Sequence, residues 1–211
     1  MPENPDFEEV YTYYSNVFVP AYSDLTGYLL FKPIEVLHSV ENVLSHVMQC
    51  HNSTIDAVAK RENIKKAHHH LERATLDCYK ILFVKLDEKI TRVVDDPELR
   101  KFCVNTPERD FLSQYFDFKK RIRDIRKKEI ANIGINIEET ISIYKEAVMV
   151  GFILINKIDD QKITDYKCLK QKEAWIKTIR DFVIGVVTGL VATAIYENWN
   201  IIVSCFQHLL R

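Results

Sequence analysis

Glycine and proline are scarce in this sequence, since 211 residues contain only 5 Gly and 6 Pro. Runs of alternating β-branched residues bounded by turn residues are missing as well, which argues against a β-rich fold. Hydrophobic residues make up 47% of the chain and charged residues 28%, a balance typical of a globular protein with a core. The length suits one ordinary domain. Together these features predict an all-α helical bundle.

The common signatures of enzymes are absent too. The sequence has no Gly-x-Gly-x-x-Gly motif, no Walker lysine loop and no Gly-x-Ser-x-Gly motif, so dinucleotide binding, phosphate-loop chemistry and serine hydrolysis have no support. Spacing alone assigns neither a Ser/His/Asp nor a Cys/His triad. A chain of helices has few loops, and enzyme sites usually lie on loops. We therefore predict no catalytic residue and no cofactor.

Cysteine pairs and an excess of charge of one sign are also lacking. The five cysteines are scattered and form no Cys-x-x-Cys pair, which argues against a disulfide framework or a zinc module and predicts reduced thiols; they are Cys50, Cys78, Cys103, Cys168 and Cys205. The net charge of −1 gives no reason to expect stable binding of duplex DNA. The acidic N-terminus, MPENPDFEEVYTYY, predicts no secretory signal peptide.

The residue pattern along the chain predicts a series of helices. Residues 33–50 begin with Pro33, a favourable first-turn residue, and a second helix is predicted from about Thr54 to Val93. Asp96-Pro97-Glu98 and Thr106-Pro107-Glu108 have the chemistry of helix starts. Apolar residues at helical spacing mark the first of these helices and the one after Glu108: Ile34, Leu37, Val40, Leu44 and Val47, then Phe111, Tyr115, Phe118, Ile122 and Ile125.

Two polar clusters stand out in this predicted bundle. In KKAHHHLERATLDCYKILF (65–83) the residues His70, Arg73, Asp77 and Lys80 fall within about a quarter of a helix circumference, beside the apolar face. They are either an interhelical ion-pair network or a pocket in which Arg73 and Lys80 hold the phosphate of an anionic ligand and His70 assists. Consecutive histidines point in different directions, so no metal site is predicted.

The second cluster is KKRIRDIRKK (119–128), in which Ile122 and Ile125 face inward and the charges face outward. A solvated face is the default interpretation. The same density of positive charge suits an oligonucleotide, a nucleotide signal or anionic lipid headgroups. The candidate ligand-binding residues here are Arg121, Arg123, Arg126 and Lys127.

The C-terminal segment is the most informative feature. Phe182 to Tyr196 contains no charge, but these 15 residues are fewer than the roughly 20 that span a bilayer. Lys167, Lys170, Lys172, Lys177 and Arg180 precede the run, which predicts a cytoplasmic N-terminal domain by the positive-inside tendency. We predict domains at 1–175 and 176–211, the second a transmembrane or membrane-inserting helix, although a buried core helix remains the alternative. The shorter run AVMVGFILI (147–155) is interpreted as core.

Small and polar residues on this segment indicate self-association. Gly185, Gly189 and Thr193 recur every fourth position, a pattern that permits close approach of helices in a membrane. The pattern therefore predicts a homo-oligomer. Glu197 and Asn200 are expected to face water or a subunit interface, because a carboxylate facing lipid is costly.

This layout, together with A-x-x-H-L-x-R-A-x-L-D-x-x-K at Ala67–Lys80, resembles the small membrane-disrupting effectors of bacterial anti-phage systems. The resemblance implies an inner-membrane protein triggered by a partner enzyme's nucleotide or oligonucleotide signal, or by sensing of nucleic acid. A rival resemblance rests on Arg61 and His68, whose Arg-x6-His spacing is similar to the signature of HEPN ribonucleases. It implies Arg61 on phosphate and His68 as acid or base across a dimer. A non-catalytic helical scaffold is the third interpretation.

Overall fold

A computed structural model describes residues 7–131 and 136–197 of the chain. Within these ranges the secondary structure is helical and no β-strand forms, so the all-α prediction is confirmed. The helices are α1 (Phe7–Tyr13), a π-helical turn (Tyr14–Phe18), α2 (Val19–Leu29), α3 (Ile34–Cys50), α4 (Ala57–Asp95), α5 (Pro97–Cys103), α6 (Glu108–Ala131), α7 (Ile137–Ile155) and α8 (Asp160–Glu197).

Helix α4 is the central element of the bundle and spans 39 residues without a glycine or proline to interrupt it. At about 1.5 Å per residue it is about 58 Å long. Its first turn is capped by Asp56, whose carboxylate accepts a 2.7 Å hydrogen bond from the backbone N–H of Ala59. Because neighbouring helices cover it on several sides, α4 buries fourteen of its residues.

Helix α3 packs against the N-terminal half of α4 in the antiparallel direction, since Cys50 contacts Lys60 while Glu35 lies near Asp77. The helix agrees with prediction, but the side chains that it buries are Val36, Val43 and Cys50. These residues lie to one side of the predicted apolar stripe. Three stripe residues remain substantially exposed, namely Ile34, Leu37 and Leu44.

Helices α6 and α7 close the other side of α4. All five residues of the predicted α6 stripe are buried, from Phe111 to Ile125. In α7 the run 147–155 is buried only on the face that meets the bundle, through Ala147, Val148, Gly151 and Leu154, whereas Met149 is 59% exposed. A Cβ at Gly151 would lie 3.0 Å from Leu86 Cδ1, which shows how closely α7 approaches α4.

Short connections hold the ends of these helices together. The carboxylate of Asp96 accepts hydrogen bonds from two N–H groups of α5, as the sequence predicts for a helix start. The Thr106 hydroxyl behaves differently: it is buried and has no hydrogen-bond partner among the described residues. Residues Val104 and Ile158 pair as an isolated bridge, which ties the end of α5 to the segment after α7.

The chain divides into two compact units, one ending at Asp159 and the other beginning at Asp160. In the second unit, α8 is the only part that the structure describes. Residue 175, the boundary predicted from sequence, lies inside this continuous helix. Cys50, Cys78 and Cys103 are buried cysteines and Cys168 is an exposed one, while Cys205 lies outside the described residues.

Candidate functional site on the central helix and the C-terminal helix

His70 faces α3, where its ring stacks on that of His46 with centroids 5.3 Å apart and an angle of 17° between the planes. His46 in turn shares a 2.9 Å hydrogen bond between Nδ1 and the side-chain oxygen of Asn63. Burial lowers the pKa of His70 below its usual 6.5, and His46 and Arg73 lower it further. His70 is therefore mostly neutral at pH 7 and contributes little positive charge to anion binding.

Asp77 also lies toward α3 and is half-buried. Burial raises the pKa of its carboxyl; Lys80 opposes this effect, Glu35 of α3 reinforces it, and Arg73 opposes it. Arg73 itself is exposed to solvent. No ion pair within 4 Å joins Arg73 to Asp77, or Asp77 to Lys80, among the described residues.

Lys80 turns to the opposite side and pairs with the carboxylate of Glu129 on α6. Its ammonium also lies 5.7 Å from the ring centroid of Tyr144 on α7. Tyr144 donates a 2.6 Å hydrogen bond from its hydroxyl to Oε2 of Glu129. Burial alone would raise the pKa of Glu129, but the bonds from Lys80 and Tyr144 outweigh it and lower the pKa. The three residues form one network across α4, α6 and α7.

The structure therefore distributes the four predicted residues of α4 over different surroundings. His70 and Asp77 face α3, Lys80 is engaged by Glu129, and Arg73 points to solvent. None of the four lines either of the clefts described below. The four residues do lie along one flank of α4, as predicted. Their side chains do not meet in one pocket that could hold a ligand.

Glu72 is a functional candidate that sequence reasoning missed. It is only 6% exposed, and its carboxylate lies 2.8 Å from Nδ1 of His69 and 3.8 Å from Nδ1 of His68. The His68 ring meets that of Tyr13 edge-on at 4.8 Å. The sequence did contain one indication of these contacts: His69 and His68 precede Glu72 by three and four residues, which places them next to it on a helix. Arg61, the other residue of the ribonuclease pattern, is exposed.

The basic residues of α6 lie on the surface. Arg121, Arg123, Arg126 and Lys127 are all exposed. A cleft of about 180 Å³ lies beside them and brings acidic side chains close to basic ones; it is lined by Arg121, Asp124, Ile125, Lys128, Ile143, Glu146 and Ala147. The two carboxylates reduce the attraction of this cleft for anions, so the positive potential is concentrated on the outer face of α6.

A larger cleft, of about 330 Å³, lies between the N-terminal helical segment, α4 and α7. Its wall includes Asn16 and Val17 of the π-helical turn. The other lining residues are Tyr13, Pro20, Tyr79, Glu138, Ile141, Ser142 and Lys145. This cleft was not predictable from the sequence, because its residues come from three separate segments and carry no common motif.

Helix α8 is the one described helix that is long and apolar enough to cross a membrane by length and composition. None of its residues is buried within the described structure. Between residues 182 and 196 nine large apolar side chains are exposed: Phe182, Val183, Ile184, Val186, Val187, Leu190, Val191, Ile195 and Tyr196. The hydroxyls of Thr188 and Thr193 donate to helix carbonyls at 2.8 Å and 2.9 Å, so their polarity is satisfied within the helix.

The predicted self-association residues lie on this exposed helix. A Cβ added at Gly185 or Gly189 would have no atom of the described structure within 4 Å, so both positions are open to an approaching helix. Thr193 follows on the same side, and Glu197 is the exposed last residue of α8. Asn200 lies outside the described residues.

Metal chemistry has no candidate ligands in the described ranges, since no group of three or more His, Cys, Asp or Glu side chains is placed to hold an ion. Comparison of the chain with models of protein families, with curated proteins and with solved structures finds no match.

Proposed function

We propose that this chain is an oligomeric effector that inserts α8 into the bacterial inner membrane and disrupts or permeabilises it in defence against phage. The observation that supports the proposal best is the exposed apolar surface between Phe182 and Tyr196. Leaving nine large apolar side chains in water costs on the order of 10 kcal/mol, which is comparable with the whole stability of a domain. This surface needs a cover, and lipid covers all sides of a helix at once.

The dimensions of α8 agree with a short or tilted span. From Trp175 to Tyr196 the helix is about 32 Å long, against a hydrocarbon core of about 30 Å. Both rings are exposed, at 68% and 83%, as expected for aromatic residues at the two interfaces. The charges in this stretch lie in its first two turns, where Lys177 and Arg180 reach the headgroups and Asp181 pairs with Arg180 at 3.2 Å.

Orientation follows from the charges that precede the apolar run. Five cations stand on that side, and the positive-inside tendency places such a flank in the cytoplasm; they are Lys167, Lys170, Lys172, Lys177 and Arg180. The helical unit ending at Asp159 is then cytoplasmic, a compartment in which its buried cysteines stay reduced.

Self-association follows from the need to line a pore. The open positions at Gly185 and Gly189 permit two backbones to approach closely, and Thr193 continues the small-residue face. Several copies joined in this way bring their Glu197 side chains together at one end of α8, where water solvates the carboxylates.

The helical unit supplies the trigger by binding an anionic ligand or a partner. The exposed cations of α6 are the expected contacts. Arg73 of the α4 motif joins them because it is exposed to solvent, whereas Lys80 is paired with Glu129 and the pKa of His70 is lowered. A nucleotide or oligonucleotide made by a partner enzyme has the required charge.

The proposal is tested by fractionating cells that express the full chain and washing the membranes with alkaline carbonate. We expect the protein in the washed pellet, cross-linking to oligomers, and dye release from vesicles of bacterial lipid. Gly185→Leu with Gly189→Leu keeps the protein in the pellet but removes cross-links and dye release. Gly27→Leu is the matched control, because Gly27 is likewise open but lies in α2. Protein recovered in the carbonate wash contradicts membrane insertion.

A HEPN-like ribonuclease is the second candidate, because Arg61 and His68 are seven residues apart and so lie on the same side of α4. The carboxylate of Glu72 lies 3.8 Å from Nδ1 of His68, while its 2.8 Å hydrogen bond is with Nδ1 of His69. An RNA-degradation assay separates the candidates. Activity that is lost in Arg61→Ala and His68→Ala but kept in His69→Ala supports the ribonuclease, whereas a non-catalytic scaffold shows neither RNA cleavage nor dye release.

A further inference from the structure

The cleft of about 330 Å³ beside the π-helical turn has the features of a small-molecule site. Its volume is at the lower end of the range of about 300–1,000 Å³ found for ligand pockets. Apolar and polar groups are both present, since Val17, Pro20 and Ile141 line it together with hydroxyls, an amide, a carboxylate and an ammonium. All lining residues belong to the unit that ends at Asp159.

One wall is a single face of α7. Glu138, Ile141, Ser142 and Lys145 follow one another at spacings of three, one and three, so they lie on the same side of the helix. Ile141 is buried at the base of the cleft, while Glu138 and Lys145 are exposed at its rim. Seven residues separate the two charges, which is about 10.5 Å along the helix axis. The wall therefore presents an anion at one end and a cation at the other.

The rest of the lining includes two tyrosines and two residues of the π-helical turn. Burial raises the pKa of Tyr13 to about 12, a hydrogen bond with Thr75 opposes this, and the charges of Glu72 and Glu138 add to it. Burial also raises the pKa of Tyr79. Both hydroxyls therefore stay protonated near neutral pH. Single turns of π-helix occur frequently at functional sites, and this one brings Asn16 and Val17 to the cleft.

We propose that this cleft binds a guanine mononucleotide, with the base at Glu138 and the phosphate at Lys145. Guanine presents two adjacent donors on one edge, N1–H and the N2 amino group, and one carboxylate accepts both. The ammonium of Lys145 pairs with the phosphate at the other end of the α7 wall. The tyrosine rings and Val17 supply the apolar contact area for the base and sugar.

The same geometry disfavours other nucleotides. Adenine has an acceptor at N1, which would face the carboxylate of Glu138 without a hydrogen between them. An oligonucleotide needs a groove that tracks several phosphates, whereas Lys145 is the one cation among the described residues that line this cleft. The inference goes beyond the membrane function proposed above and does not depend on it, because nucleotide binding is measured without any vesicle.

Isothermal titration of the full chain in detergent micelles tests the assignment, with GMP, guanosine, AMP and inorganic phosphate as probes. We expect saturable binding of one GMP per chain, and binding at least about tenfold weaker for guanosine and for AMP. Inorganic phosphate alone binds too weakly to saturate. Absence of saturable GMP binding overturns the proposal, and so does equal affinity for GMP and AMP.

Two substitutions locate the ligand. Glu138→Gln weakens GMP binding at least about tenfold and reduces the preference for GMP over AMP, because a neutral amide no longer accepts both guanine donors equally well. Lys145→Met weakens GMP to the affinity of guanosine and leaves guanosine itself unchanged. Glu139→Gln and Lys101→Met are the controls, since neither residue lines the cleft. Circular dichroism confirms folding of each variant, and GMP binding that survives both Glu138→Gln and Lys145→Met unchanged places the nucleotide elsewhere and overturns the assignment.

Discussion

Tyr144 of α7 donates a hydrogen bond of 2.6 Å to Glu129 of α6. The same carboxylate is paired with Lys80 of α4. Three helices that are distant in sequence thus meet at one partly buried charge, whose side chain is 26% exposed. A buried carboxylate with two donors is satisfied, but removal of either donor leaves it less compensated.

Removal of the Glu129 carboxylate is expected to destabilise the helical unit. Glu129→Ala leaves Lys80 and the Tyr144 hydroxyl without their partner, and we expect a loss of about 1–3 kcal/mol in the free energy of unfolding. Urea denaturation followed by circular dichroism measures it. Glu146→Ala is the control, because that exposed carboxylate of α7 has no ion pair among those described. A double-mutant cycle with Tyr144→Phe gives additive effects only if the hydrogen bond contributes nothing.

The contacts of Glu129 with Lys80 and Tyr144 also predict how the stability of the helical unit depends on pH. The pKa of Glu129 is lower in the folded state than its usual value of 4.5. The folded state thus binds this proton less tightly than the unfolded state, so the stabilisation is present above pH 4.5 and is lost as the pH falls below it. Glu129→Gln is expected to flatten the decline of stability between about pH 5 and pH 3. An unchanged pH profile in this variant contradicts the assignment.

Asp77 is expected to behave in the opposite way. Burial raises its pKa from the usual 3.8, so the ionised carboxylate costs stability at neutral pH and protonation favours the folded state. Asp77→Asn should therefore raise the thermal midpoint at pH 7. Asp87→Asn is the matched comparison on the same helix and should lower it, because Asp87 is paired with Lys119 at 2.6 Å.

Much of the bundle was predictable, for reasons that lie in particular residues. The stretch 57–95 contains no glycine or proline, so one long helix was the only simple outcome. The stripe from Phe111 to Ile125 is narrow and has a single apolar side, which fixed the direction of burial. In α3 the apolar arc is wide, and its burial depends on where α4 lies; Val36 and Val43 are covered while Leu44 is not.

The candidate site was less predictable than the fold. The spacing of His70, Arg73, Asp77 and Lys80 describes one helix correctly. The residues that define their surroundings are on other helices: His46 stacks on His70, Glu35 repels Asp77 and Glu129 pairs with Lys80. No local pattern carries that information. The burial of Glu72 and the cleft between Tyr13 and Lys145 likewise arise only when distant segments pack together.

Close packing of α7 on α4 makes Gly151 a sensitive position. A Cβ there would lie 3.0 Å from Cδ1 and 3.3 Å from Cβ of Leu86, and a longer side chain would have to displace both. We expect Gly151→Leu to lower the free energy of unfolding by about 1–3 kcal/mol through overpacking. Gly27→Ala is the control, because nothing lies within 4 Å of that position, and it should be neutral or stabilising by up to about 1 kcal/mol. Equal urea midpoints for the two variants would contradict the close contact.

A charge in the middle of α8 tests whether lipid covers the exposed apolar surface. Val187 is 52% exposed and lies near the centre of the charge-free run. Placing a lysine there costs roughly 2.5–3.5 kcal/mol for insertion at a helix centre. We expect Val187→Lys to shift the protein out of the carbonate-washed membrane pellet or to reduce its amount there several-fold. Phe116→Lys alters an exposed apolar residue of α6 that is 62% exposed, and it should leave the pellet fraction unchanged. If both variants stay in the pellet at the level of the unaltered chain, α8 is covered by protein rather than by lipid.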